Sequence, residues 1–474
     1  MQHSIRIIAF VATAMLATAC SHKDRMKPIT EAYEKGDYAA AANALAPLLE
    51  SRLDSEKDRT LYQLEAGMVY SAAGDTKQSA EAWRDADERM WPYLDESPEV
   101  SISEQAAAIM TNQTIIKYRG RSYDRIMCCT YHELRDMMEG DLEKSGVDFR
   151  RALEWQRDAV DRNAKEIEGL QKKAEEDASQ KGYDSNRAMD DQRFKSGLDS
   201  AYGPLNELHG YGEYEIPYAT FLRGLLLQVQ GGSDTLEQAT VSYRRVAGML
   251  PEADRAMVEA DAILAEQVTA GSAKMPSMAY VFCESGMGPR LDEFRLDIPL
   301  FMRQVPYVGA AFPVIKFNAG APGPFRIRSG DKSATAMLLT DMDRVVGDEF
   351  KQRLPAIITM TLVSSATKAV ATYLAQEAMQ SRGDGMSAFV AIMGAIYQVA
   401  TNSADLRIWL TLPKHVYYAR LEVPESGTLE IDLDDGKHIG PIQLESAGTT
   451  VVHIRAPGIG APPAVRTMHF PTAG

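Results

Sequence analysis

The chain has 474 residues, 45% of them hydrophobic and 25% charged, a balance that excludes disorder throughout and a polytopic membrane protein and suggests two or three domains. Asp and Glu (66) outnumber Lys and Arg (51), for a net charge of −15; this disfavours nucleic acid as a partner, because phosphate neutralisation by Lys and Arg supplies most of such affinity. Four cysteines in this length exclude a disulfide scaffold.

The run from Ile7 to Ala19 is almost wholly apolar and too short for a bilayer, which takes about 20 residues. Arg6 precedes it and small residues end it, the layout of a signal peptide over residues 1–19. Ala17-Thr18-Ala19-Cys20 resembles the lipobox of bacterial lipoproteins. That resemblance implies cleavage before Cys20, diacylation of its thiol and acylation of the new amine. Each buried methylene contributes about 0.8 kcal/mol, so two or three chains anchor firmly where one does not. Ser21, by the same family's sorting rule, points to the outer membrane, periplasmic side. Residues 20–27 then read as a short polar lipidated tether.

Residues 28–270 read as helical. Helix formers dominate and apolar residues recur at three and four. Apolar helices end at Gly36, Gly74, Gly140 and Gly231, each followed by a second helix with small and aromatic or Leu positions. The pattern resembles the tetratricopeptide repeat; Gly36 and Gly74 lie near one such period, about 34 residues, and Gly74 and Gly140 near two. Asp161 to Lys181, rich in charge, reads as a solvated helix. Gly182 to Gly212 lacks periodicity and reads as a loop-rich insertion.

Residues 271–460 read as β-rich. Strands are predicted at Met278–Cys283, Phe294–Ile298, Pro313–Phe317, Gly323–Arg328, Val416–Val423, Thr428–Leu433, Ile439–Leu444 and Thr450–Ile454, with Asp435-Gly436 as a turn. A helical insert is predicted at 333–400, with helices over Val345–Gln380 and Ala388–Ala400. Both carry apolar stretches, but Lys368 in the first and the shortness of the second favour core packing over spanning. Residues 461–474 read as a Pro/Gly-rich tail. The predicted fold is α+β and multidomain: a tetratricopeptide-like helical domain, then a β-sandwich-like domain with two inserted helices.

No metal, cofactor or catalytic residue is expected. Cys128, Cys129 and Cys283 read as small buried apolar residues; Cys128 and His132 share a helix face without a second pair of ligands. Asp341, Asp343 and Glu349 read as an acidic cluster answering a helix dipole. There is no GxSxG, HExxH, CxxC or phosphate loop, and the eight histidines are scattered.

Three stretches carry a further resemblance: Gly286-Met287-Gly288-Pro289-Arg290, Leu339 to Phe350 with Arg353-Leu354-Pro355, and Ala404 to Pro413 (ADLRIWLTLP). They resemble an uncharacterised family of bacterial lipoproteins with tetratricopeptide-like helices in front of a β-rich part. The resemblance implies a cell-envelope role, in peptidoglycan or outer-membrane assembly, and no established activity. Alternation predicts a strand over Ala404–Pro413, with Leu406, Ile408, Leu410 and Leu412 facing the core. Asp405, Arg407, Trp409 and Thr411 would share the other face, where Arg407 could stack on the indole and pair with Asp405. These four and Arg290 are the candidate interaction or clasp residues. The expected function is a lipid-anchored scaffold or adaptor that binds envelope proteins through a helical-repeat groove. The alternative is a cell-wall-acting enzyme carried on the β-rich domain.

Overall fold

The computed structural model describes residues 22–50, 55–94, 96, 102–104, 116–180, 183–212, 214–301, 307–380, 404–424, 427–444 and 447–471. The predicted signal peptide, Cys20 and the run Ala388–Ala400 lie outside the described residues. Helices come first and strands follow.

The helical part opens with α1 (His22–Glu34) and α2 (Tyr38–Glu50), then α3 (Ser55–Ala72) and α4 (Thr76–Met90). Next come α5 (Ser122–Met138) and the long α6 (Leu142–Gln180). Three of the turns share one device. Gly36, Gly74 and Gly140 take φ of 75°, 83° and 81°, the left-handed conformation that glycine adopts cheaply. The aspartate after each glycine closes the preceding helix: the amides of Asp37, Asp75 and Asp141 donate to the carbonyls of Ala32, Tyr70 and Asp136 at 2.8–2.9 Å. The same aspartates then cap the next helix, their carboxylates accepting from the amides of Ala40, Gln78 and Lys144 at 3.0–3.2 Å. Gly231 (φ 72°) turns α9 (Pro217–Gln230) into α10 (Ser233–Met249) without an aspartate. Helix α11 (Ala256–Thr269) closes this part.

Two expectations are corrected here. Residues 22–27 are not a free tether but the first turns of α1, with His22 and Met26 buried and Lys23 paired to Asp292. Their polar composition hides an inward stripe of His22, Met26, Ile29 and Tyr33. Gly182–Gly212 is not mainly loop: it holds α7 (Ser185–Met189) and α8 (Gln192–Tyr202), capped by Asp184 and Asp191. Phe194, Leu198 and Tyr202 are buried at helical spacing. The charged stretch from Asp161 is the second half of α6 and is only partly solvated, since Leu170 and Ala174 pack on Ala356 and Met360.

The strands are β1 (Met278–Ser285), β2 (Arg290–Pro299), β3 (Tyr307–Lys316), β4 (Arg326–Ser329), β5 (Lys332–Thr335), β6 (Met337–Asp341), β7 (His415–Glu422), β8 (Gly427–Asp432), β9 (His438–Leu444), β10 (Gly448–Ala456) and β11 (Ala464–Pro471). Helix α12 (Met342–Gln380) lies between β6 and β7. The predicted insert therefore begins with strands β5 and β6 rather than helix. The predicted tail is also corrected: β11 pairs antiparallel with β10 from Pro471 back to Ala464, its short alternating run hidden by the prolines around it.

One sheet has the order β11-β10-β1-β7-β6, with β10 parallel to β1. A second is β5-β4-β8-β9, and β2-β3 form a hairpin. Alternation along β1 gives the central sheet two apolar faces. Ala279, Val281 and Cys283 join Ile327, Leu429 and Ile431 of the smaller sheet in one cluster. Met278, Tyr280 and Phe282 join the core of the helical part, which includes Tyr33, Trp83, Tyr131 and Phe221. Phe221 of α9 meets Tyr418 of β7 at 4.5 Å between ring centroids. The inner face of the helices is thus covered by the chain's own sheet. Among the described residues no helix is long and apolar enough to cross a membrane.

Candidate functional site

Residues 404–413 do not form a strand. They pass between the helices and the central sheet without strand pairing and bend at 410–412, and Arg407, Trp409 and Thr411 are all buried. The Arg407 guanidinium donates to both oxygens of Asp405 at 2.8–2.9 Å, to Asp58 at 3.2 Å and to the Ile116 carbonyl at 2.8 Å. Burial opposes ionisation of Asp405, but the guanidinium outweighs it and holds the carboxyl below its ordinary range. Arg407 lies over Tyr118, 5.7 Å from its ring centre, and not over Trp409. The indole instead packs with Trp83 and Tyr131, at 5.6 and 6.0 Å between centroids, and donates to the Thr411 hydroxyl at 3.0 Å. Glu65 of α3 completes the arrangement: its carboxylate accepts the amides of Leu410 and Thr411 and the Thr411 hydroxyl.

Two of the stretches of the lipoprotein resemblance meet, the Gly288 amide donating to the Leu412 carbonyl at 2.6 Å, and the third is tied just past them, the Met342 amide donating to the carbonyl of Lys414, the residue after Pro413, at 2.8 Å. Arg290 is not with Arg407; it binds Asn318 at 2.6 Å, which in turn holds the carbonyls of Met287 and Gly288.

Beside Asp405 and Arg407 lies a cavity of about 140 Å³, bounded by the start of α5, by α6, by α12 and by residues 405–408. Its wall carries Arg119, Arg121, Arg125, Arg162, Arg353 and Arg407. Arg125 and Arg162 share Asp158 at 3.6 and 2.8 Å. Arg119 pairs with Glu96. Arg353 meets Glu349 at 3.7 Å and Asn163 at 3.4 Å. Among the described residues the Arg121 guanidinium donates no hydrogen bond and makes no ion pair, while its backbone amide donates to Asp124 at 2.8 Å. Burial, then the neighbouring Arg121, push Arg353 down to about 10. The rest of the wall is apolar, with Ile167, Leu170, Leu291, Ile315, Val346 and Phe350.

The other candidates are structural in their surroundings. Cys128, Cys129 and Cys283 are buried and free, and burial pushes each thiol up. Burial pushes His132 down to about 4. Asp341 accepts the Asp343 amide at 3.0 Å at the start of α12, Asp343 pairs with Lys414, and Glu349 accepts the Ser122 amide at 3.3 Å at the start of α5. Among the described residues no group of His, Cys, Asp and Glu is placed to hold a metal ion. The cavity arginines from the helical part were not singled out in the sequence; Arg119-Gly120-Arg121, a basic knot in an acidic chain, was the available signal. No protein-family model, curated protein or solved structure matches this chain.

Proposed function

We propose that the chain is a lipid-anchored cell-envelope scaffold or adaptor of the bacterial lipoprotein type it resembles, fastened through Cys20 to the outer membrane and facing the periplasm. The observation that carries this reading is the short link between anchor and body. Helix α1 starts at His22 with that residue already buried, so a chain acylated at Cys20 holds its folded body against the lipid surface. The Gly-Asp turns support a tetratricopeptide-like organisation of the helices, and the cluster shared by the two larger sheets supports a sandwich-like β part. Because the inner helical face is filled by the chain's own sheet, the surface offered to a protein partner is the outward one. There Val241 of α10 and Ile263 of α11 are exposed.

Labelled palmitate tests the anchor: it enters the wild-type chain, and Cys20→Ser abolishes the label and releases the protein from membranes. Photocrosslinkers at positions 241 and 263 test the adaptor role: both capture the same envelope protein. An unlabelled wild-type chain, or crosslinks to no common protein, overturns the reading.

A further inference from the structure

We propose that the arginine-lined cavity is a binding site for a small organic anion, one carboxylate carried on an apolar body, with Arg121 as the group that receives the charge. The proposal is independent of where the protein is anchored.

The charge arrangement around the cavity is the first argument. Arg119, Arg125, Arg162, Arg353 and Arg407 each have a carboxylate of the chain within 4 Å, and among the described residues Arg121 has none. The two acids whose fields reach Arg121 most strongly are Glu349 and Asp405. Their oxygens are directed to other donors, Glu349 to the Ser122 amide and Arg353, Asp405 to Arg407. Burial opposes the Arg121 charge, but the surrounding groups, Glu349 and Asp405 among them, outweigh it and keep the guanidinium charged, with its hydrogen bonds unmatched by an acceptor among the described residues. The pKa of Arg353 is lowered first by burial and then by the neighbouring Arg121 guanidinium.

Size and wall chemistry narrow the ligand. At about 140 Å³ the space is close to an engineered cavity of roughly 150 Å³ that accepts benzene. Its apolar side, built from Ile167, Leu170, Ile315, Val346, Phe350 and Ile357, suits a hydrocarbon body. A planar carboxylate matches the fork of a guanidinium with two parallel hydrogen bonds. A phosphate dianion is disfavoured, because Asp158, Glu166, Glu349 and Asp405 also line the cavity and would repel the second charge. The amide of Ser122 is already taken by Glu349, so the helix end is not the receptor.

Benzoate is the probe, titrated calorimetrically into the full chain, with benzyl alcohol as its neutral counterpart and inorganic phosphate as the competing anion. Benzoate binds at millimolar concentration or below and benzyl alcohol does not. Arg121→Gln weakens benzoate binding by about tenfold or more, the loss expected for a charge-assisted hydrogen bond, and Arg121→Lys retains part of it. Ile357→Trp fills the cavity, leaves Arg121 in place and also removes binding, so the test survives a glutamine variant that fails to fold. No benzoate binding by the wild type, equal binding by the glutamine variant, or tighter binding of phosphate than of benzoate each overturns the proposal.

Discussion

Glu65 and Thr411 stand 346 residues apart in the chain and are joined twice, the carboxylate accepting the threonine amide at 3.0 Å and its hydroxyl at 2.6 Å. With the Leu410 amide at 2.7 Å, one buried side chain of α3 serves as the seat for the segment that precedes β7. Glu65→Ala leaves three buried donors without an acceptor, each worth about 1–3 kcal/mol. We expect a loss of about 3 kcal/mol or more, read as a lower urea midpoint with an unchanged slope. A variant within 0.5 kcal/mol of wild type, roughly the range of surface substitutions, would show that the segment is held elsewhere.

Trp409 packs against the stacked pair Trp83 and Tyr131 and is fully buried. Trp409→Ala combines lost transfer energy with a cavity and is expected to cost about 3–5 kcal/mol. Trp409→Phe keeps most of the packing and loses the hydrogen bond to Thr411, so it should cost distinctly less. Denaturant titration of the two variants side by side checks the order.

The glycine turns differ in a way that separates conformation from crowding. Both Gly36 and Gly74 have positive φ, but a Cβ at Gly74 meets nothing within 4 Å, whereas one at Gly36 falls 2.6 Å from Pro462 Cδ. Gly74→Ala is expected to cost about 1–2 kcal/mol, the price of the left-handed conformation alone. Gly36→Ala should cost more, because the loop at Pro462 must also move. Equal losses in thermal unfolding would remove the crowding argument.

Several buried carboxyls set the pH dependence of stability. Burial pushes Asp124 up to about 7 and Asp261 and Asp343 up to about 6. Asp148 is raised by burial and then by the adjacent carboxyl of Asp136. For each, the folded value lies above the ordinary unfolded one of about 3.9. The folded chain therefore keeps protons that the unfolded chain releases, and the contribution of these groups is full below about pH 4 and declines as pH rises to about 7. The melting temperature is expected to fall from pH 5 to pH 8. Asp148→Asn, which mimics the protonated carboxyl, should make that fall shallower; an unchanged slope would exclude Asp148 as a contributor.

What could be read in the sequence was local. The Gly-Asp pairs at 36, 74 and 140 act through turn and cap chemistry spanning a few residues, and β1 to β4 and β7 to β10 show as short apolar or alternating runs between Gly and Pro boundaries, whereas β5 and β6 did not show. What could not be read depended on tertiary enclosure. Alternation over 404–413 suggested a strand, but the segment passes between the helices and the central sheet without strand pairing, with Arg407, Trp409 and Thr411 all buried. The polar letters of residues 22–27 concealed the inward turn of His22 and Met26. The cavity was the least visible of all, since Arg121, Arg162, Arg353 and Arg407 come from four separate parts of the chain and only the fold brings them together.

The parallel pairing of β10 with β1 has a consequence for biosynthesis. β10, made after β1 to β9, lies inside the sheet between β1 and β11, and Arg455 on it reaches Tyr33, the Glu284 carbonyl and the Thr411 carbonyl. A nascent chain halted before residue 448 would have β1 open along one edge and Tyr33 without its guanidinium partner. The native core is therefore completed only after residues 448–456 have emerged, more than 400 residues after Tyr33, so the helical part waits for a distant strand before it is closed.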